Sequence, residues 1–173
     1  MIIGGHRTTE PYEIVLEARQ FAIFAHGEQK YWKYPYVYHL DCVVANLKNY
    51  SDEERVIGYL HDVVEDTEVT IAHIQNKFSI FVADCVYLIS DPPGLKNRKE
   101  KKESVNRTLS QISGVSPYNS VLIVKAADRL ANLRMDKKFD MYKKEHEAFK
   151  LAAYRPGLCE DLWEMIEILV NSK

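Results

Sequence analysis

Apolar residues along this chain recur mostly at the spacing of helices. From Thr9, the positions Ile14, Ala18, Phe21, Ala22 and Ala25 share one face, with Pro11 in a first turn, Glu10 and Glu13 at the positive end and Gly27 as the stop. His26 sits at the edge of that face and reads as a packing histidine. Pro35 restarts a helix whose inward positions are Val37, Leu40, Val43, Val44 and Leu47. The capping box Ser51-Asp52-Glu53-Glu54 opens a third, with Val56, Ile57 and Leu60 turned inward and His61 four residues after Ile57. Thr70 caps a short helix carrying Ile71, Ile74 and Phe78, and another carries Phe81, Val82, Cys85, Leu88 and Ile89 before Asp91-Pro92-Pro93-Gly94 stops it. A helix from Ser116-Pro117 to Arg134 is apolar almost all round, which predicts a central, buried position. Two more follow, one with Tyr142, Phe149 and Ala152, the other with Leu158, Leu162, Met165, Ile166 and Leu169. Residues 28–36 break the period and read as a loop mixing bases with aromatics. No convincing strand appears, so the expected fold is an all-α, single-domain helical bundle around one buried helix.

Length and composition narrow this further. A chain of 173 residues predicts one domain spanning 1–173. A net charge of −2 predicts no general attraction to nucleic acid, so a polyanionic ligand must meet a local patch. Cys42, Cys85 and Cys159 are odd in number and far apart, and read as reduced, small apolar residues. The N-terminus lacks the charged start and apolar core of a signal peptide, and no apolar run reaches membrane-spanning length. A cytoplasmic protein without membrane partners is the expectation.

The chemistry gathers in Tyr59-Leu60-His61-Asp62-Val63-Val64-Glu65-Asp66-Thr67. In a helix, His61 and Glu65 are four apart, as are Asp62 and Asp66, so an imidazole and three carboxylates share one surface. Acids this close repel unless a cation offsets them; the bland alternative is an acidic helix end in solvent. On the buried helix, Lys125, Asp128 and Asn132 form a polar stripe that needs partners. His39 lies near its helix start and can point inward, either as packing or as a ligand. Convergence of His39, His61, Asp62 and Asp128 gives a mixed N/O site suited to manganese, iron or zinc, with positions left for water and substrate. Glu65 and Asp66 then stand where they can orient water and carry protons. Between Lys96 and Arg107 there are six bases and two acids, which reads as a solvated helix face or as a wall offering cations to phosphates.

The order His39, His61-Asp62, Asp128 resembles the HD superfamily of metal-dependent phosphohydrolases. The longer strings, Pro35-Tyr36-Val37-Tyr38-His39, the acidic stretch, and Lys125-Ala126-Ala127-Asp128-Arg129-Leu130-Ala131-Asn132-Leu133-Arg134, are similar to the hydrolase domain of RelA/SpoT alarmone enzymes and MESH1-like small alarmone hydrolases. The resemblance implies an all-α fold, manganese on His39, His61, Asp62 and Asp128, and release of the 3′-pyrophosphate of ppGpp. It also implies catalysis by Glu65 and Asp66 and a nucleotide site containing Asn132. Lys30, Lys125 and Arg98 are the candidate phosphate cations and Trp32 the candidate base platform, with Tyr31-Trp32 standing where the family has a basic pair. Lysine supplies charge without a bidentate grip, so broader nucleotide selectivity is expected. Two alternatives stand beside this reading: hydrolysis of another nucleotide such as NADPH or a nucleoside triphosphate, and a non-catalytic nucleotide-binding module.

Overall fold

The computed structural model describes residues 11–92, 94–95 and 97–172. The expected helix start at Thr9-Glu10, Pro93 in the helix stop, and Lys96 of the basic run lie outside the described residues. Helix α1 (Pro11–His26) ends where Gly27 takes a left-handed φ of 50°. A short antiparallel hairpin follows in place of the expected loop, β1 (Lys30–Tyr31) and β2 (Tyr34–Pro35), with Tyr31 opposite Tyr34. Its turn puts Trp32 at φ 58°, so Trp32 and its buried neighbour Tyr31 part company. The chain continues through α2 (Val37–Asn46), α3 (Asp52–Leu60), α4 (Val63–Asp66), α5 (Ile71–Lys77) and α6 (Ile80–Ile89). It closes with α7 (Arg98–Ser110), α8 (Ser120–Leu133), α9 (Asp136–Lys144), α10 (His146–Ala153) and α11 (Glu160–Ser172).

Local chemistry starts these helices. Ser51 N–H donates to Glu54 Oε2 at 3.0 Å, Ser79 Oγ accepts from Val82 N–H at 3.1 Å, and Asn97 Oδ1 accepts from Glu100 N–H at 3.0 Å. Helix α8 is the buried rod its composition predicts, packed against α2, α3, α6, α9 and α11. Cys85 and Cys159 are buried free thiols, whereas Cys42 is only half-buried. No described helix is long and apolar enough to cross a membrane.

Three boundaries differ from the periodicity. The helix carrying the acidic stretch is interrupted at His61-Asp62. There the Gly58 carbonyl, which a continuing helix offers to its own backbone, is engaged by His61 Nδ1 at 2.7 Å. Asp66 N–H still reaches the Asp62 carbonyl at 3.0 Å, so the helical spacing of the acids survives the break. Helix α8 starts at Ser120 because residues 116–119 form a tight turn, with Asn119 N–H on the Ser116 carbonyl at 3.1 Å. The helix expected to carry both Tyr142 and Phe149 is split into α9 and α10 at Glu145, whose side chain is bound by Arg98.

At Gly58, α3 packs closely on the end of α2. A Cβ there would stand 2.9 Å from Leu47 Cδ1 and 3.2 Å from Val44 Cγ2. Gly58→Ala is therefore expected to lower stability by about 1–3 kcal/mol, the usual cost of overpacking a filled core. Urea unfolding measures this, and an unchanged midpoint would mean that α2 and α3 separate freely.

Candidate active site

Helices α2, α3 and α8 bring His39, His61 and Asp128 together, one ligand atom from each lying within 4.8 Å of the others. Asp62 joins them: its Oδ2 is 3.2 Å from His61 Nε2 and 3.7 Å from His39 Nε2. Asp128 Oδ1 stands 3.3 Å from His39 Nε2 and 3.8 Å from His61 Nε2. Both imidazoles are buried, and with Nδ1 of His61 held by the Gly58 carbonyl, its Nε2 faces the group without a hydrogen-bond partner. A buried nitrogen with no partner beside two carboxylates is the arrangement that a divalent cation satisfies, so the donor set fits a metal.

The electrostatics agree. Burial pulls the His61 pKa down, but Asp62 and Asp128 outweigh it and raise it to about 9. Burial pushes both carboxylates up, yet both end well below the usual range, Asp62 chiefly because of His61 and Asp128 chiefly because of Lys125. In the protein without a metal, His61 thus carries a proton at pH 7 that an incoming cation must displace. Metal uptake at pH 7 is expected to release protons, and to tighten as pH rises towards 9. Calorimetry in buffers of differing ionisation enthalpy reads that release; none at pH 7 would mean a neutral His61 beforehand.

The surrounding residues fix these ligands. Tyr31 stacks on the His39 ring, centroids 4.3 Å apart, and its hydroxyl donates to Asn132 Oδ1. Asn132 Nδ2 donates to Asp128 Oδ1 at 2.5 Å, and Lys125 Nζ lies 3.3 Å from Asp128 Oδ2, so the stripe on α8 is internally paired. The Tyr36 hydroxyl sits between Asp62 Oδ2 at 2.8 Å and Asp66 Oδ2 at 2.6 Å. Behind it, His26 stacks on Tyr36 at 4.0 Å and meets Gln29, whose amide donates to the Asp66 carbonyl at 2.6 Å. His26 is thus the packing residue expected, though what it supports is Tyr36.

A cleft of about 310 Å³ opens over this group. Glu65 and Asp66 stand on its wall, Glu65 Oε1 accepting from Asp91 N–H at 3.0 Å. Glu65 reaches solvent, yet the cleft walls and then the Asp62 charge raise its pKa to about 7, with Lys125 opposing. Of the candidate substrate residues, Lys125, Asn132 and Arg98 line the cleft, but Lys30 and Trp32 do not. Arg98 is also clamped by Glu145, through Nε at 2.8 Å and Nη2 at 3.0 Å. Lys30 is exposed on β1, and the left-handed turn turns Trp32 into a neighbouring hollow beyond Tyr31 and Lys138.

Sequence reasoning passed over the site roles of Tyr36, Lys138 and Tyr142, all of which line the cleft. Tyr36 stood inside the string quoted for His39 and was the one open to discovery. Of the basic run, Lys101 and Lys102 face the cleft while Lys99 and Arg107 are exposed away from it.

The site is that of a helical metal-binding domain, and residues 18–153 match the model of the HD domain family. The chain belongs to that family. It is 26% identical over 174 residues to a probable guanosine-3′,5′-bis(diphosphate) 3′-pyrophosphohydrolase of Synechocystis, covering 95% of this chain and 23% of that protein. It is 27% identical over 133 residues to the guanosine-3′,5′-bis(diphosphate) 3′-pyrophosphohydrolase MESH1 of Drosophila melanogaster, covering 73% of this chain and 71% of MESH1. The chain thus spans about a quarter of the length of the first curated relatives it matches. A solved structure of a metazoan SpoT ortholog, described as hydrolysing ppGpp, superposes with a TM-score of 0.80 at 22% identity, covering 95% of this chain and 98% of that one.

Proposed function

We propose that residues 1–173 act as a single cytoplasmic HD-type domain that removes the 3′-pyrophosphate of ppGpp-like nucleotides, using manganese held by His39, His61, Asp62 and Asp128. The observation that carries this reading is the buried, partnerless His61 Nε2 facing two carboxylates at the foot of a cation-lined cleft. The names of the Synechocystis and Drosophila relatives support the choice of substrate.

A divalent ion there supplies Lewis-acid activation of water and offsets phosphate charge. The residues of the chain do the rest. Glu65, with a pKa near 7, can take a proton from water and return one to the leaving oxygen at neutral pH. Asp66, steadied by Tyr36 on its carboxylate and Gln29 on its carbonyl, orients the same water. Lys125, Asn132 and Arg98 receive the phosphates and ribose within the cleft, while Trp32 meets the nucleoside end in the hollow beyond Tyr31 and Lys30, exposed on β1, adds positive charge from outside it. Stacking on an indole discriminates weakly between bases, which fits broad selectivity.

The test is release of pyrophosphate from ppGpp and pppGpp, with NADPH and deoxynucleoside triphosphates in parallel, each with manganese and with chelator. Manganese-dependent cleavage of ppGpp is expected. Intact ppGpp beside cleavage of another nucleotide overturns the alarmone assignment, and binding of all of them without turnover overturns the enzyme.

A further inference from the structure

Helix α7 has a cavity on each side. One is the cleft; the other is a hollow of about 460 Å³ whose walls include Arg98, Lys99 and Lys102 of α7, Arg129 of α8 and Lys144 of α9. Among the described residues, two carboxylates face these five cations, Glu103 and Glu145. Glu145 is engaged by Arg98, and Glu103 lies 3.8 Å from Lys99 on the exposed side. Among the described residues, Lys102 and Lys144 have no ion-pair partner.

Arg129 is the buried member, 4% exposed. Its guanidinium lies over the rings of Tyr142, centroid at 4.7 Å, and Phe149, at 4.2 Å. A guanidinium carries five N–H donors. Here Nη1 donates to the Tyr142 carbonyl at 3.1 Å and stands 3.8 Å from Glu145 Oε2, while Nε and Nη2 have no acceptor among the described residues. Both donors open on the hollow that Arg129 lines, where an oxyanion can accept from them. Lys102 feels the same excess of charge: burial first, then Lys125, outweigh Asp128 and lower its pKa to about 8, with Arg98 and Arg129 adding to the depression.

We propose that this outer hollow is a second anion site, separate from the metal group, which takes a phosphate-type oxyanion. Guanidinium and ammonium donors converging on one hollow match the oxygens of phosphate or pyrophosphate. Arg98 and Lys102 line both cavities, so an anion held outside also reduces the positive field within the cleft. The anion is either free in solution or the far phosphate of a nucleotide reaching across α7.

Lys99→Glu/Lys144→Glu tests the proposal, since both residues are exposed and neither lines the cleft. Inorganic pyrophosphate is titrated calorimetrically into chelator-treated wild type and double variant at low salt. Binding should weaken about tenfold or more in the variant, with circular dichroism and Tm unchanged. Equal affinity in the two folded proteins overturns the proposal, as does absence of binding to wild type. Lys99→Gln/Lys144→Gln replaces the variant if charge reversal disturbs folding. A parallel rise in KM for whichever nucleotide is cleaved identifies the anion as the far phosphate of that nucleotide; an unchanged KM identifies a free anion. Because the titration needs neither metal nor turnover, its outcome is independent of the hydrolase reading.

Discussion

Asp128→Ala is expected to purify without bound metal and to lose nucleotide hydrolysis altogether. Asp128 is the only candidate ligand contributed by the central helix, and its Oδ1 lies 3.3 Å from His39 Nε2. Removing it strips one carboxylate from the donor set and leaves Lys125 Nζ, 3.3 Å from Asp128 Oδ2 in the native chain, without its nearest anion in a buried place. An unpaired buried cation repels the incoming metal and destabilises the fold by about 3–5 kcal/mol, as when one partner of a buried pair is removed. Metal analysis, thermal unfolding and activity are measured on the same samples. Wild-type metal content in the variant would remove Asp128 from the ligand set.

Glu65→Gln and Asp66→Asn should keep their metal and lose turnover, kcat falling on the order of 10²-fold or more for each, as general acid–base roles predict. The amides preserve shape but can neither take a proton from water nor return one. Glu65→Gln should also remove an ionisation near pH 7 from the titration of the metal-free protein, because that is where the Glu65 carboxyl is held there. Near-normal kcat in both variants would reduce the pair to scaffolding, Glu65 tying down Asp91 and Asp66 receiving Tyr36.

The parts of this fold legible in advance are those governed by local periodicity. The central helix could be read because nothing but burial explains Val121 through Leu133, and the caps at Ser51 and Thr70 act within a single turn. Its start could not, since the tight turn at 116–119 is a choice between two local geometries that Ser116-Pro117 allows equally. Glu145, where α9 gives way to α10, is held by Arg98, 47 residues away, and no short window of sequence contains both. The same division runs through the site. The His39 and His61 rings lie 3.2–3.8 Å from the Asp62 and Asp128 carboxylates, and each of the four residues could be placed near the interior from its own helix's periodicity. Trp32 misses the cleft because one residue in the left-handed region inverts the direction of a side chain, and composition alone does not encode that. Lys102 was one lysine among several until α7 was set against α8.

The contact at Gly58 ties the interior to the chemistry. His39 rides on α2, His61 follows directly on α3, and the distance between these two helices is set where the bare α-carbon of Gly58 meets Val44 and Leu47. Its carbonyl also aims the His61 ring. The hydrocarbon seam between α2 and α3 is thus the gauge that spaces the two imidazoles. A metal held between those imidazoles would depend on aliphatic residues that never touch it, and a single methyl group added at that seam would shift its donors from behind.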